Sequence, residues 1–156
     1  MQRPMLLVKT TIRESSVHGI GLFAAQFIPK GTLIWRFTPG FDIRFTGDEI
    51  LGFPTLLQKY LYKYCWRSMK SSLYCFSSDN GKYFNHADNP NALSEYRENE
   101  EEVVTIAVSD IQCGEEITDN YSSFEAIHSA DDVLAQIAVR YGLDDELDPR
   151  LKKMAT

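Results

Sequence analysis

The chain has 156 residues, of which 44% are hydrophobic, which is enough for one core and too few to suggest two independent domains. Its 16 Lys and Arg against 22 Asp and Glu give a net charge of −6. The polyanionic backbone of a nucleic acid is therefore a poor match, and a basic peptide suits the field of the protein better. We expect a protein or peptide partner of basic character and no direct nucleic-acid partner.

The cysteines and the apolar runs indicate the compartment. Cys65, Cys75 and Cys113 are widely spaced and form no CxxC pair, so they predict neither a disulfide framework nor a zinc site. No stretch reaches the roughly 20 apolar residues of a membrane span, and the first residues lack the apolar core of a signal peptide. We expect a soluble intracellular protein of the cytoplasm or nucleus with no membrane partner, while export as an effector stays open.

Short β-type runs dominate the first two thirds of the chain, each bounded by turn-forming residues. They predict strands at 6–11, 33–37, 74–77 and 103–108. Thr46 and Glu49 have the spacing of a capping box and Pro54 can start a helix, so one or two short helices are predicted within 47–65. The acidic cluster at 98–102 predicts a solvent-exposed hairpin tip.

The last part of the chain has helical periodicity. Ser129, Asp131 and Asp132 favour a helix start, apolar residues recur at helical spacing as far as Tyr141, and Gly142 offers a stop. This apolar stripe is predicted to dock on the core, and residues 144–156 are predicted to fray. Taken together, the elements predict a mainly β fold with short helices, of the α+β class.

The first of three motifs contains two glycines one residue apart, in the run His18, Gly19, Ile20 and Gly21. Glycines let a backbone turn tightly and approach a ligand without a Cβ in the way. A lone GxG also fits an ordinary turn. The third glycine and the βαβ context of a dinucleotide fold are missing.

The second motif pairs Asn85 with His86, behind two aromatic residues and before a turn that ends at Pro90 and Asn91. A surface turn explains the Asp-Asn-Pro-Asn segment but does not call for the Asn-His pair. His86 could be a metal ligand or a general base. With three histidines and no spacing typical of a metal site, we expect no bound metal.

The third motif is the acidic turn Gly-Glu-Glu-Ile-Thr-Asp-Asn-Tyr, which begins at Gly114 and ends on Tyr121. Tyr121 taken alone also fits a strand-end aromatic with its hydroxyl in water. The order of the three motifs along the chain decides between these readings.

A GxG near the N-terminus, N-H-x-x-x-P-N in the middle and G-E-E-I-T-x-N-Y near the C-terminus resemble, in this order, the SET-domain methyltransferases. The resemblance covers 7–124, and so divides the chain into an N-terminal extension at 1–6, a SET domain at 7–124 and a C-terminal helical segment and tail at 125–156. It implies a SET-type β-clip with a C-terminal pseudoknot, in which 85–91 threads under a loop near Tyr121.

The resemblance also implies an activity and its residues. The cofactor is S-adenosylmethionine, and the reaction is methyl transfer to a lysine side chain of a protein substrate. Tyr121 is the catalytic residue, which orients the amine and the methyl group, with proton removal left open. The residues expected to bind the cofactor are His18, Gly19, Ile20, Gly21, Asn85, His86, Tyr121 and Phe124.

Departures from the family pattern leave several points open. Ala87 and Asp88 stand where many members have Ser-Cys, and receive no role. Many members carry a cysteine-rich zinc segment after the last motif; because this chain has no cysteine after Cys113, the helix at 130–142 is expected to wall the substrate channel instead. Asp119 stands where an aromatic residue often sets the number of methyl groups added, so product multiplicity stays open.

Two alternatives to lysine methylation remain. One is a non-catalytic SET-fold module that binds a basic peptide, because fold alone does not fix function. The other is methylation of a different nucleophile, such as histidine, within the same architecture. The oligomeric state also stays open, with a dimer as one alternative.

Overall fold

The structure is a computed structural model that describes residues 6–126 and 129–143. The described part of the chain contains ten strands, three α-helices and two 3-10 turns. The strands are β1 (Thr10–Glu14), β2 (Ile20–Ala24), β3 (Leu33–Arg36), β4 (Ile43–Phe45), β5 (Trp66–Arg67), β6 (Tyr74–Phe76), β7 (Asn85–His86), β8 (Ala92–Tyr96), β9 (Val103–Ala107) and β10 (Thr118–Asp119). The helices are α1 (Gly47–Leu51), α2 (Thr55–Tyr64) and α3 (Val133–Tyr141), and the 3-10 turns are Asn80–Tyr83 and Tyr121–Ser123.

The strands form several small sheets. β3, β9 and β8 make one antiparallel sheet, and β4, β6 and β5 make another. β1 and β2 form a two-stranded antiparallel pair, whereas β7 and β10 pair in parallel. The predicted mainly β fold with short helices is confirmed.

Three of the four predicted strands match β3, β6 and β9 to within one or two residues. The first strand is displaced: the prediction was 6–11, but β1 begins at Thr10, and Leu6 forms only an isolated bridge with Trp35. β1 is almost entirely solvent-exposed and is aligned by its pairing with β2. The partner strand therefore sets its position, and the apolar run before it does not.

Both predicted helical regions form. The side chain of Thr46 accepts from the backbone N–H of Glu49, whose own side chain accepts from the N–H of Thr46, so the capping box is present at the start of α1. Pro54 precedes the first residue of α2. At the end of the described chain, Asp132 caps α3 and Gly142 ends it with a φ of 62°.

The apolar stripe of α3 docks on the core, as predicted. Val133, Leu134 and Ile137 are buried against residues of α1 and α2. This cluster is separate from the larger core under the strands, which reaches from Leu22 to Phe124. The helices thus pack together with strand residues such as Tyr74 and Phe76 in a second cluster.

The acidic cluster at 98–102 is not a fully solvated hairpin tip. Glu102 is fully buried, with 0% exposure, and accepts hydrogen bonds at 2.5 Å from the hydroxyls of Ser68 and Ser71. Arg44 lies 3.5 Å from its carboxylate. The prediction is wrong for this residue because the turn at 68–72 closes over it and supplies the partners that a buried carboxylate requires.

Candidate active site

The second and third motifs meet in the parallel pair of β7 and β10. Asn85 lies opposite Thr118, and His86 lies opposite Asp119. The side chain of Asn91 joins the same two segments, because its Nδ2 donates to the Glu116 carbonyl at 2.8 Å and its Oδ1 accepts from the Thr118 amide at 2.9 Å. Segments far apart in sequence thus lie side by side, as the expected pseudoknot requires.

Asn85 connects the first motif to this crossing. It is buried, and its Nδ2 lies 2.9 Å from the His18 carbonyl and 3.2 Å from the Ile20 carbonyl. The same nitrogen lies 3.0 Å from Oε2 of Glu116. The Asn85 side chain therefore fixes the shape of the GxG loop and joins all three motifs.

Glycine is needed at the two positions of the first motif for different physical reasons. Gly19 has a φ of +47°, in the left-handed region that side chains disfavour, and the position of a Cβ there is open space. A Cβ on Gly21 would lie 2.8 Å from the Glu116 carboxylate. The close approach of Gly21 therefore serves the packing of the third motif, whereas Gly19 leaves an open surface.

His86 ties the second motif to Tyr121. Its Nδ1 accepts from the backbone N–H of Tyr121 at 3.2 Å, so Nε2 carries the ring hydrogen and faces Oδ1 of Asp88 at 3.2 Å. The two rings lie 5.4 Å apart between centroids. Asp88, for which no role was predicted, thus orients the imidazole of His86.

Tyr121 does not present its hydroxyl to water. It lies in the 3-10 turn Tyr121–Ser123, and its hydroxyl donates to the main-chain carbonyl of Phe84. Its ring makes an edge contact with Phe124 at 5.7 Å between centroids, and Phe124 in turn contacts Trp66 at 5.1 Å. Tyr121 and Phe124 are therefore fixed together in one aromatic wall.

This wall lines a partly open cavity of about 70 Å³. The aromatic residues that line the cavity are Trp35, Tyr64, Trp66, Phe84, Tyr121 and Phe124, and its polar lining consists of Lys63, Ser77, Lys82, Ser94, Thr105 and Asp119. No residue of α3 is among the lining residues, because the apolar stripe of this helix is used in the second core. The expected contribution of 130–142 to a channel wall is not found at this cavity.

A buried carboxylate belongs to the lining. Asp119 is 2% exposed, and its oxygens accept from both the backbone amide, at 3.0 Å, and the hydroxyl of Ser94. The Ser94 hydroxyl lies 2.7 Å from that of Thr105, which also lines the cavity. Asp119 is therefore a residue of the cavity wall whose carboxylate is bonded to Ser94.

Trp35 also lines this cavity. Its Nε1 is buried and has no hydrogen-bond partner among the described residues. A Cβ on Gly81, another lining residue, would lie 2.7 Å from this nitrogen. A buried indole N–H usually finds an acceptor, and this one is an exception. No motif in the sequence indicated that Trp35, or Ser94 as the donor to Asp119, belongs to the site.

Other chemistry finds little support at this site. Cys65 lines the cavity, but burial raises the pKa of its thiol, so that it is not a thiolate nucleophile at neutral pH. Across residues 6–126 and 129–143, no group of three or more His, Cys, Asp and Glu side chains is placed to hold a metal ion. In the same residues, no helix has the length and apolar character needed to cross a membrane.

Comparison with known proteins connects this geometry to a family. The model of the SET domain matches residues 19–122, which is more than half of the chain. The match includes all but the first residue of the GxG motif and the whole of the two later motifs. No curated protein matches the sequence.

Solved structures share the fold. A Plasmodium falciparum chain described as a candidate histone methyltransferase is 22% identical with a TM-score of 0.51, over 79% of this chain and 96% of that one. Polycomb Repressive Complex 2 of Chaetomium thermophilum, in an autoinhibited conformation bound to S-adenosylmethionine, is 23% identical with a TM-score of 0.56, over 84% of this chain and 16% of that one. A humanized mutant of the Chaetomium complex, bound to the inhibitor GSK343, is 22% identical with a TM-score of 0.58, over 85% and 16%.

Identities of this size show the fold alone. This chain spans nearly the whole of the Plasmodium chain but only 16% of the two Chaetomium chains. These structural matches cover 79–85% of this chain. They therefore include more residues than the SET-domain model, which matches 19–122.

Proposed function

This chain belongs to the SET-domain family, and from that premise we propose that it transfers a methyl group from S-adenosylmethionine to the side-chain amine of a lysine in another protein. The family assignment confirms the expected SET-type fold and supports the methyltransferase class with S-adenosylmethionine as its cofactor. That the methyl group is accepted by a lysine is our proposal.

The observation that carries the lysine proposal is the cavity beside Tyr121. It combines aromatic walls with the buried carboxylate of Asp119. Aromatic faces attract cations, and a buried carboxylate favours a charge-assisted hydrogen bond. A slender side chain that ends in an amine suits this combination better than the flat ring of histidine does. A fixed tyrosine hydroxyl at the same place favours a catalyst over a binding module.

The surface around the first motif fits the cofactor. Val17 and Ile20 are 50% and 45% exposed, and the space above Gly19 is open. Exposed main chain and apolar side chains suit a ligand that has both a polar amino-acid end and an aromatic base. The loop from Val17 to Gly21 would hold the cofactor, with Asn85 and His86 keeping that loop and Tyr121 in position. S-adenosylmethionine would supply there an electrophilic methyl group on its sulfonium.

The residues of the chain have separate tasks in such a reaction. A lysine with a pKa of ~10.4 is neutral in roughly one molecule in a thousand near neutral pH, a penalty of about 4 kcal/mol. Exclusion of water from the cavity disfavours the charged form and lowers this penalty, whereas the Asp119 carboxylate and the aromatic faces favour the ammonium form in which the lysine arrives. Asp119 accepts an N–H of the amine, and the hydroxyl of Tyr121, fixed by the Phe84 carbonyl, orients the lone pair.

Incubation of the protein with a cell extract and labelled S-adenosylmethionine, followed by mass mapping of the labelled site, tests the proposal. We expect label on lysine side chains. Label on histidine would support the alternative nucleophile instead. Cofactor binding without any labelled protein would support a non-catalytic module.

A further inference from the structure

Two lysines lie at the edge of the cavity, on either side of a tyrosine pair. The rings of Tyr64 and Tyr83 are 5.7 Å apart between centroids. Nζ of Lys63 lies 5.3 Å from the Tyr64 ring, and Nζ of Lys82 lies 5.8 Å from the Tyr83 ring. Lys63, Tyr64 and Lys82 all line the cavity. We call these four residues the cavity rim.

The rim continues onto an exposed face of α2. Tyr60 is 41% exposed and lies 4.9 Å from Tyr64 and 5.8 Å from Phe76, measured between ring centroids. Nζ of Lys82 lies 5.0 Å from the Phe76 ring. An aromatic surface with lysines thus leads from solvent to the entrance of the cavity. A bound substrate chain would place there the residues that flank its target lysine.

The positive charge of the rim is not neutralised within the described part of the chain. Neither Lys63 nor Lys82 forms an ion pair there, as holds for the other described lysines, whereas arginines 36, 44, 67 and 97 each pair with a carboxylate. Lys63 is exposed to solvent and Lys82 is half-buried. In a chain of net charge −6, two lysines without an ion pair among the described residues thus lie at the edge of this cavity.

We propose that the cavity rim binds an acidic residue of the protein substrate, next to the lysine that enters the cavity. This inference rests on the proposed function and names its substrate class: a lysine flanked by Asp or Glu. Peptide carboxylates would pair with Lys63 and Lys82, while the adjoining backbone and apolar atoms pack on the tyrosines.

The rim refines the expectation of a basic partner that follows from net charge. Charges on the protein surface are screened beyond about 8–10 Å at physiological ionic strength. The overall charge of −6 therefore acts weakly at the entrance, where the ammonium groups of Lys63 and Lys82 determine the local electrostatic potential. A partner that is basic as a whole still needs an acidic residue beside its target lysine.

The test uses three peptides that share a central lysine and differ only in its flanking residues, which are Glu, Gln or Lys. Binding is measured by fluorescence anisotropy at low and at high ionic strength, with S-adenosylhomocysteine present. Because one exposed ion pair changes affinity by only about 1.5- to 5-fold, we expect the Glu peptide to bind roughly 5- to 20-fold more tightly than the Lys peptide. The difference should shrink at high salt.

Variants locate the effect. Lys63→Glu combined with Lys82→Glu should reverse the preference, and the double substitution to Gln should abolish it. Lys30→Glu is the matched control, because Lys30 is exposed and does not line the cavity; it should leave the preference unchanged. Equal binding of all three peptides by the wild type, or an equal effect of Lys30→Glu, overturns the inference.

The same peptides separate this inference from the proposed function. If lysine is methylated equally well in all three, the role of the rim fails and the lysine methyltransferase stands. If the Glu peptide binds best but no peptide is methylated on lysine, the proposed function fails and the acidic recognition stands.

Discussion

Two buried carboxylates, Asp119 and Glu102, show how similar groups serve different ends in this molecule. Glu102 lies against Arg44 and two serine hydroxyls, inside a turn and away from the cavity. Asp119 accepts from Ser94 and lines the cavity next to Tyr121. The first carboxylate has a cation of its own chain beside it, and the second belongs to a residue of the cavity wall, where we propose that the substrate amine binds. Changes at Glu102 should therefore alter stability, and changes at the cavity should alter catalysis.

Tyr121→Phe should give the largest effect on the catalytic side of this comparison. The substitution keeps the ring and removes the hydroxyl bonded to the Phe84 carbonyl. If the hydroxyl orients the amine in the transition state, methyl transfer should slow by about 10²-fold or more, with cofactor affinity little changed. Rate and calorimetric binding are measured on the same preparation. An unchanged rate would mean that Tyr121 only packs.

Asp119→Asn should come next. The amide keeps the size of the side chain and one acceptor for Ser94, but removes the charge that we propose binds the substrate amine. We expect kcat/KM for a lysine peptide to fall about 10- to 100-fold, the range of a charge-assisted hydrogen bond. The free energy of unfolding should change less than the catalytic barrier. A variant that unfolds more easily yet turns over normally would place Asp119 with Glu102 as a structural group.

Glu102→Gln should give the opposite pattern. It weakens the ion pair with Arg44 and the bonds from Ser68 and Ser71, and we expect the free energy of unfolding to drop by about 1–3 kcal/mol. Methyl transfer below the unfolding temperature should stay within about two-fold of wild type. Urea unfolding and kinetics on one preparation check both parts. A large loss of rate in a folded variant would break the comparison.

The smallest effect concerns Asp42, a third buried carboxylate, whose pKa is raised to about 6, mainly by desolvation and against the amide hydrogen bonds from Ser78 and Thr38. Because the folded pKa exceeds the usual 3.8, the native state holds more protons between these two values. The stability that the protonated Asp42 contributes to the folded state is fully present below about pH 3.8 and is lost as the pH rises through about 6. Asp42→Asn should flatten this decline in stability, and an unchanged pH dependence would contradict the raised pKa.

The sequence predicted those parts of the fold that have local signals. The capping box at Thr46, the stop at Gly142 and the ordered motifs around Asn85 and Tyr121 all appear in the structure. Each depends on residues within a few positions of one another or on a pattern that a family preserves. Local chemistry was therefore enough for the capping box and the helix stop, and the family resemblance placed the motifs.

The cavity and its charges could not be predicted in the same way. Ser94 is 25 residues from Asp119, and Ser68 is 34 residues from Glu102. Only the folded chain shows which donors close over which carboxylate, or that Lys63 and Lys82 reach one entrance. For the same reason the sequence suggested a solvated tip at 98–102 and gave Asp88 no role.

The most direct measurement is mass mapping of one peptide that contains both a lysine and a histidine, after incubation with the protein and S-adenosylmethionine. We expect the wild-type protein to add methyl groups to the lysine and to leave the histidine unmodified, and Tyr121→Phe to do so about 10²-fold more slowly. Methylation of the histidine alone, or lysine methylation at the same rate by Tyr121→Phe, would contradict this expectation.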